Sequence, residues 1–123
     1  MTPRELYERI GGDYEAALRT LMNDTLISRF IVRLPDDSSF HQLMDAFAAS
    51  DPKRMFEASH AMKGVCANLG LTNLSDAASE IAEEFRPGSE RKLSDEAVTE
   101  IITAIREMYE TAVTFIRRFA LEH

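Results

Sequence analysis

The feature that most constrains the fold is a long apolar repeat at helical spacing near the C-terminus. After Ser94, which suits an N-cap, apolar residues recur every three or four positions for about seven turns. They are Val98, Ile101, Ile102, Ile105, Met108, Tyr109, Ala112, Phe115, Ile116 and Phe119. A helix this long with one apolar face must pack against other helices, so the sequence predicts a helical bundle.

The rest of the chain also has helical periodicity, and no segment alternates apolar and polar residues as a strand would. Helix-breaking or capping residues divide it at Gly11-Gly12, Pro35 to Ser39, Asp51-Pro52, Gly70 and Arg86-Pro87-Gly88. Asn23-Asp24 either breaks or bends an early helix, and the next apolar stretch should run to Pro35. We therefore predict an all-α fold: an up-down antiparallel four-helix bundle with additional short N-terminal helices.

Length and terminal sequences suggest the domain organisation. The 123 residues fit a single domain, expected over residues 1–120, and Leu121-Glu122-His123 is typical of an expression-tag remnant. The segment from Pro87 to Lys92 is the one connection with a flexible composition.

Charge and composition argue against several classes of partner. Acidic residues outnumber basic ones 21 to 14, giving a net charge of -7, which disfavours binding to nucleic acid. No apolar run is long enough for a membrane span or a signal peptide, so we expect no membrane association. The single cysteine, Cys66, fits a reducing cytoplasm. We expect a cytoplasmic monomer.

The helix expected from Pro52 to Leu69 carries the most informative residues. At 100° per residue, one stripe contains the apolar residues and belongs in the core, with Cys66 as a packing residue rather than a redox group. The stripe consists of Met55, Ala58, Met62, Val65, Cys66 and Leu69. His60 lies on the opposite side and should face solvent, so it is unsuited to a metal site inside the bundle.

Gly64 is the unexpected residue of this helix. An interior glycine costs on the order of 1 kcal/mol relative to alanine. Because helical side chains lean toward the N-terminus, a side chain at position 64 would cover His60. Lys63 leans the same way, so its ammonium can lie beside the imidazole or beside an anion attached to it. An uncovered neutral imidazole can attack phosphorus, and the N–P bond that forms is labile. The three residues together predict a phosphoryl acceptor, His60, with a stabilising cation, Lys63, and a steric gap, Gly64.

The segment from Ser59 to Leu71, SHAMKGVCANLGL, resembles the histidine-containing phosphotransfer (HPt) domain, whose signature is His-x-x-Lys-Gly followed six residues later by Gly. The similarity extends over more than half the chain. It implies a four-helix bundle whose histidine exchanges a phosphoryl group with the aspartate of a response-regulator receiver domain in a bacterial-type phosphorelay. Expected partners are such a receiver and a hybrid histidine kinase. No cofactor is expected on this chain, and Mg²⁺ is expected on the receiver.

One position departs from the family pattern. The family often has Gln or Glu 22 residues after the histidine, to hold its second ring nitrogen, and this chain has Ala82. That role could be taken by Glu80, Glu83, a backbone group or water, or it could be left unfilled. A non-catalytic adaptor or inhibitor, which docks a receiver or kinase without accepting phosphate, therefore remains the alternative.

Two further groups of surface residues can be assigned from the sequence. Phe56, Ala61 and Ala67 should form a shallow apolar surface for partner docking. The acidic clusters are expected to be solvated faces rather than catalytic carboxylates; they contain Glu80, Glu83, Glu84, Asp95, Glu96 and Glu100.

Overall fold

The computed structural model describes residues 1–123 and contains only helices and their connections. The seven α-helices are α1 (Pro3–Ile10), α2 (Tyr14–Leu21), α3 (Asp24–Ile31), α4 (Ser39–Ala48), α5 (Pro52–Asn68), α6 (Thr72–Glu84) and α7 (Asp95–Leu121), with a 3-10 turn at Leu34–Asp36. The predicted all-α class is confirmed.

Helices α4 to α7 form the antiparallel four-helix bundle, and the short helices α1 to α3 pack around it. One continuous cluster of buried apolar side chains joins all of these elements. Helix α7 runs through it, and the ring of Tyr109 stacks on Phe40 of α4 with ring centres 3.8 Å apart. The predicted up-down bundle with additional N-terminal helices is therefore confirmed.

Short polar side chains begin most of the helices, as the sequence predicts. Thr2 and Glu5 form a reciprocal capping box at α1, and Asp51 accepts the Arg54 N–H at 3.2 Å to begin α5. Asn23 accepts the Leu26 N–H at 2.9 Å. This last cap settles the question left open by Asn23-Asp24, because it starts α3 as a separate helix after α2 has ended.

The predicted end of α3 at Pro35 is wrong, since the helix ends at Ile31. Pro35 has no N–H to donate to the carbonyl of Ile31, and its ring would clash with that carbonyl in a continued helix. The chain tightens instead, with the Arg33 N–H donating to Phe30 at 3.1 Å, and then forms the 3-10 turn. Leu34 still reaches the core and is only 3% exposed.

The prediction of a solvated Glu84 is also wrong, because this side chain is only 6% exposed. Its carboxylate accepts hydrogen bonds from the Arg91 guanidinium at 2.5 Å and from the N–H groups of Lys92 at 3.1 Å and Leu93 at 3.0 Å. The Arg91 hydrogen bond lowers the pKa of Glu84. These four residues form what we call the linker clamp, which ties the predicted flexible segment to the end of α6.

The ends of the chain lie together at one end of α7. The N-terminal ammonium of Met1 is 2.9 Å from the Glu122 carboxylate, and the His123 ring lies 4.0 Å from that of Phe119. That residues 121–123 are a tag remnant stays a prediction. None of the helices combines the length and the apolar character that crossing a bilayer would require.

Candidate functional site

Helix α5 carries the candidate site, and local sequence fixes both of its ends. Asp51 caps its start, and Gly70 turns the chain after its last residue with a φ of +71°. A Cβ at Gly70 would lie 2.6 Å from the carbonyl oxygen of Asp13, so no other residue fits without a shift of the backbone. This close approach brings the end of α5 against the start of α2.

The predicted core stripe of α5 is buried except for Val65, which is half-buried. Burial, with a smaller contribution from the nearby Asp37 charge, raises the pKa of the Cys66 thiol to about 12. A thiol held protonated in the core acts as a packing group, and this is the role predicted for Cys66.

His60 lies on the opposite face of α5 and is exposed. The ring of Phe56, one turn earlier, stacks against it with ring centres 5.6 Å apart and planes inclined by 19°. No protein group forms a hydrogen bond with either ring nitrogen of His60. The arrangement therefore holds the ring by stacking on one side and leaves its nitrogens accessible to an approaching molecule.

Gly64 lies one turn after His60, and a Cβ built there would meet no atom within 4 Å. Close packing against another helix therefore does not require glycine at this position. Its backbone is helical, so a left-handed conformation does not require it either. Position 64 thus faces open space one turn after His60, and that this space gives access to the ring stays a prediction.

Lys63 flanks the site on the side of α6. Its backbone carbonyl accepts a hydrogen bond from the Ser75 hydroxyl at 3.1 Å, which fixes α6 beside this turn of α5. On α5 itself, the buried Ser59 hydroxyl donates to the carbonyl of Met55 at 2.6 Å. The half-buried stem of Lys63 thus starts from a turn of helix that is well anchored.

Helix α6 does not offer His60 a side chain at the position used by the resembled family. Ala82 is completely buried and faces the core. The next residue, Glu83, is exposed and accepts hydrogen bonds from both Nε, at 3.3 Å, and Nη2 of Arg86. These bonds lower the pKa of Glu83, and the charges of Lys63 and His60 act in the same direction. The charge of Glu83, one of the alternatives considered for Ala82, thus interacts with the site.

Arg86 is a site residue that the sequence interpretation did not assign a role. Its guanidinium lies 5.6 Å from the centre of the Phe56 ring, so it joins the same surface. The spacing of Glu83 and Arg86, three residues apart, was an available signal for the ion pair. The distance of this ion pair from α5, in contrast, depends on how α5 and α6 pack, which the spacing alone does not determine. We refer to Phe56, His60, Lys63, Glu83 and Arg86 as the His60 cluster.

The predicted docking residues have the exposure that a contact surface needs. Ala61 and Ala67 are exposed, and Phe56 is half-buried.

A separate open groove of about 780 Å³ lies between α3, the 3-10 turn and the last turns of α5, with Phe30, Val65 and Asn68 among its lining residues. His60 and Lys63 do not line it, so the groove is distinct from the His60 cluster.

Comparison with protein-family models matches residues 25–114 to the Hpt domain. The matched segment contains all of α4, α5 and α6 and continues past Arg86, so it includes the whole His60 cluster. No curated protein and no solved structure was found to match the chain.

Proposed function

This chain belongs to the Hpt domain family, whose members have a phosphotransfer role in two-component signalling, and from that membership we propose a specific acceptor. His60 exchanges a phosphoryl group with the aspartate of a response-regulator receiver domain. The observation that carries this proposal is the exposed His60 ring, whose nitrogens form no hydrogen bond with the protein and which is followed one turn later by the open space at Gly64.

The transfer follows from the chemistry of the two side chains. An unprotonated ring nitrogen of His60 attacks the phosphorus of the receiver's aspartyl phosphate while the other ring nitrogen keeps its proton. The N–P bond forms, the P–O bond to the aspartate breaks, and the aspartate leaves as a carboxylate. The reverse sequence of events passes the group on to a second receiver.

The other residues of α5 support this step without taking part in covalent chemistry. The Lys63 ammonium stabilises the negative charge on the phosphoryl oxygens during transfer. Gly64 leaves room for the receiver's aspartate to approach the ring. Phe56, Ala61 and Ala67 offer a shallow surface to the rim of the receiver's active site, and the receiver supplies the Mg²⁺.

The adaptor function remains a second candidate because of one observation. Ala82 is completely buried, so no side chain at that position holds the His60 ring in a fixed orientation. An adaptor would bind the same receivers through the same surface but would accept no phosphoryl group.

Transfer from a panel of receivers charged with acetyl phosphate distinguishes the two functions. We expect the wild-type chain and the control His41→Gln, which changes another exposed helical histidine, to take up the label, and His60→Gln to take up none. Both are surface substitutions, which change stability by at most about 0.5 kcal/mol. Lys63→Ala should slow transfer more than it weakens receiver binding. Label on His60→Gln at the wild-type level would refute the assignment, and a wild-type chain that binds the charged receivers but takes up no label would favour the adaptor.

A further inference from the structure

The end of α6 places an ion pair beside the His60 cluster that the proposed transfer step does not use. Arg86 donates two hydrogen bonds to Glu83, and its guanidinium also lies 5.6 Å from the Phe56 ring. Phe56 in turn lies 5.6 Å from the His60 ring. Two successive contacts therefore connect the ion pair to the proposed phosphoryl acceptor.

The position of Glu83 is not explained by the stability of α6. A carboxylate in the last turn of a helix lies near the negative end of the helix dipole, where a cation is preferred. Its neighbour Glu84 occupies a similar place but is engaged by the linker clamp. Glu83 contacts only Arg86, and both side chains are largely exposed, so the pair can separate at little cost.

Glu83 also interacts electrostatically with the site itself. The charges of Lys63 and His60 contribute to its lowered pKa, after the larger effect of the Arg86 hydrogen bonds. A phosphoryl group on His60 would add roughly two negative charges to the same region. It would repel the Glu83 carboxylate and attract the Arg86 guanidinium, whose planar set of donors suits phosphate oxygens.

We infer that Glu83 and Arg86 form a charge-exchange pair, in which Arg86 leaves Glu83 for the phosphoryl group on His60 and Glu83 competes to take it back. The inference rests on the proposed role of His60 as acceptor. Glu83 thereby destabilises the phosphorylated state and favours its discharge, while Arg86 stabilises it. A domain that passes a phosphoryl group onward, rather than storing it, would gain from this competition.

The lifetime of the N–P bond in water measures this competition directly. Phosphoramidate charges exposed histidines without any partner: a ring nitrogen attacks phosphorus, the bond to the amine breaks and ammonia leaves. In the decay that follows, water adds its oxygen to phosphorus, the N–P bond breaks, and phosphate is released. Site-resolved mass spectrometry of the full chain follows His60 and His41 separately, so His41 serves as an internal reference.

We expect Glu83→Gln to lengthen the half-life of phosphorylated His60 by about threefold, the size expected for removing one charge near a dianion at a solvent-exposed site. His41 should show no change. Glu80→Gln, which removes an acidic residue one turn earlier on α6, should have a smaller effect than Glu83→Gln. Arg86→Gln should shorten the half-life, because it removes the cation that would bind the phosphoryl oxygens.

The double variant tests whether the two residues act as a pair. In the Arg86→Gln background, Glu83→Gln should lengthen the half-life by less than it does in the wild type, because no guanidinium is left to be released. An equal effect in both backgrounds, or no effect of Glu83→Gln in the wild type, would overturn the inference. Because charging needs no receiver, these results are independent of whether any receiver transfers to His60, which is the test of the proposed function.

Discussion

At the scale of single residues, Gly64 and Gly70 show two different reasons for a glycine. Gly70 has a left-handed backbone, and a Cβ would lie 2.6 Å from the carbonyl oxygen of Asp13, so the fold requires it. Gly64 has a helical backbone, is exposed, and has open space where its side chain would be. The fold does not require Gly64, and we propose that access to His60 is the reason for its presence.

Substitutions at Gly64 should move stability and transfer in opposite directions. Gly64→Ala should gain up to about 1 kcal/mol of stability, and Gly64→Gln should keep most of that gain. The longer side chain leans over His60 and should block transfer from a receiver, whereas alanine should slow it less. Thermal melting and transfer rates on the same two variants test this.

The same geometry provides a control variant and an outcome that would contradict this explanation. Gly70→Ala should lower the melting temperature, because the strain and the clash with Asp13 are unavoidable there. A Gly64→Ala protein that is less stable than the wild type would show that the glycine serves the fold, and the access explanation would then be wrong.

The sequence alone was enough to group the candidate residues of α5, because they are close to one another along the chain. His60, Lys63 and Gly64 lie within two turns of one helix, so their relative placement follows from helix geometry alone. Glu83 lies in the last turn of α6 and Arg86 just after its end, and their approach to His60 depends on the register between two antiparallel helices. Periodicity does not determine that register, so the ion pair was not assigned to the site before the fold was known.

At the scale of elements, the caps were predictable and the linker was not. Asp51 and Ser94 start their helices through contacts three residues away, and such contacts are visible in sequence. The linker clamp joins Glu84 to residues seven to nine positions later through a turn of irregular backbone. Its composition, rich in proline, glycine and charge, gave no sign that a buried carboxylate would organise it.

Glu84→Gln should therefore lower the melting temperature, while Glu90→Gln, an exposed change in the same linker, should not. The lowered pKa of Glu84 gives the sign of the pH dependence. The clamp contributes its full stability above the ordinary glutamate pKa of about 4.3 and loses it as the pH falls through the lowered value. The difference between wild type and Glu84→Gln, measured by thermal melting, should thus shrink in acid. A constant difference would contradict the ionic clamp.

At the scale of the whole molecule, the core contains ionisable groups that resist ionisation. Burial raises the pKa values of Tyr7, Cys66 and Tyr109, and the Tyr7 hydroxyl donates to the carbonyl of Leu69 at 2.6 Å. As the pH rises, these groups lose their protons in the unfolded chain before they lose them in the folded chain. Stability should therefore be complete below about pH 8.5, the ordinary thiol pKa, and should fall in more alkaline solution.

Cys66→Ala isolates one of these contributions. It removes a buried thiol and should cost about 1 kcal/mol at pH 7 through the cavity it leaves. It also removes the group whose pKa is raised to about 12. The stability of the wild type should then fall more steeply than that of the variant between pH 8 and pH 10.5. Urea unfolding at these pH values provides the measurement, and parallel curves would show that Cys66 does not contribute to the alkaline loss.

The most direct test of the whole account is to map the phosphoryl group on the full chain after transfer from a charged receiver. Mass spectrometry of peptides kept at mildly alkaline pH should place the label on His60, with none on His41 or His123, and the label should be stable in base and lost in acid. Label on another residue, or an acid-stable label, would contradict the central claim that the exposed ring opposite the core stripe of α5 is the acceptor.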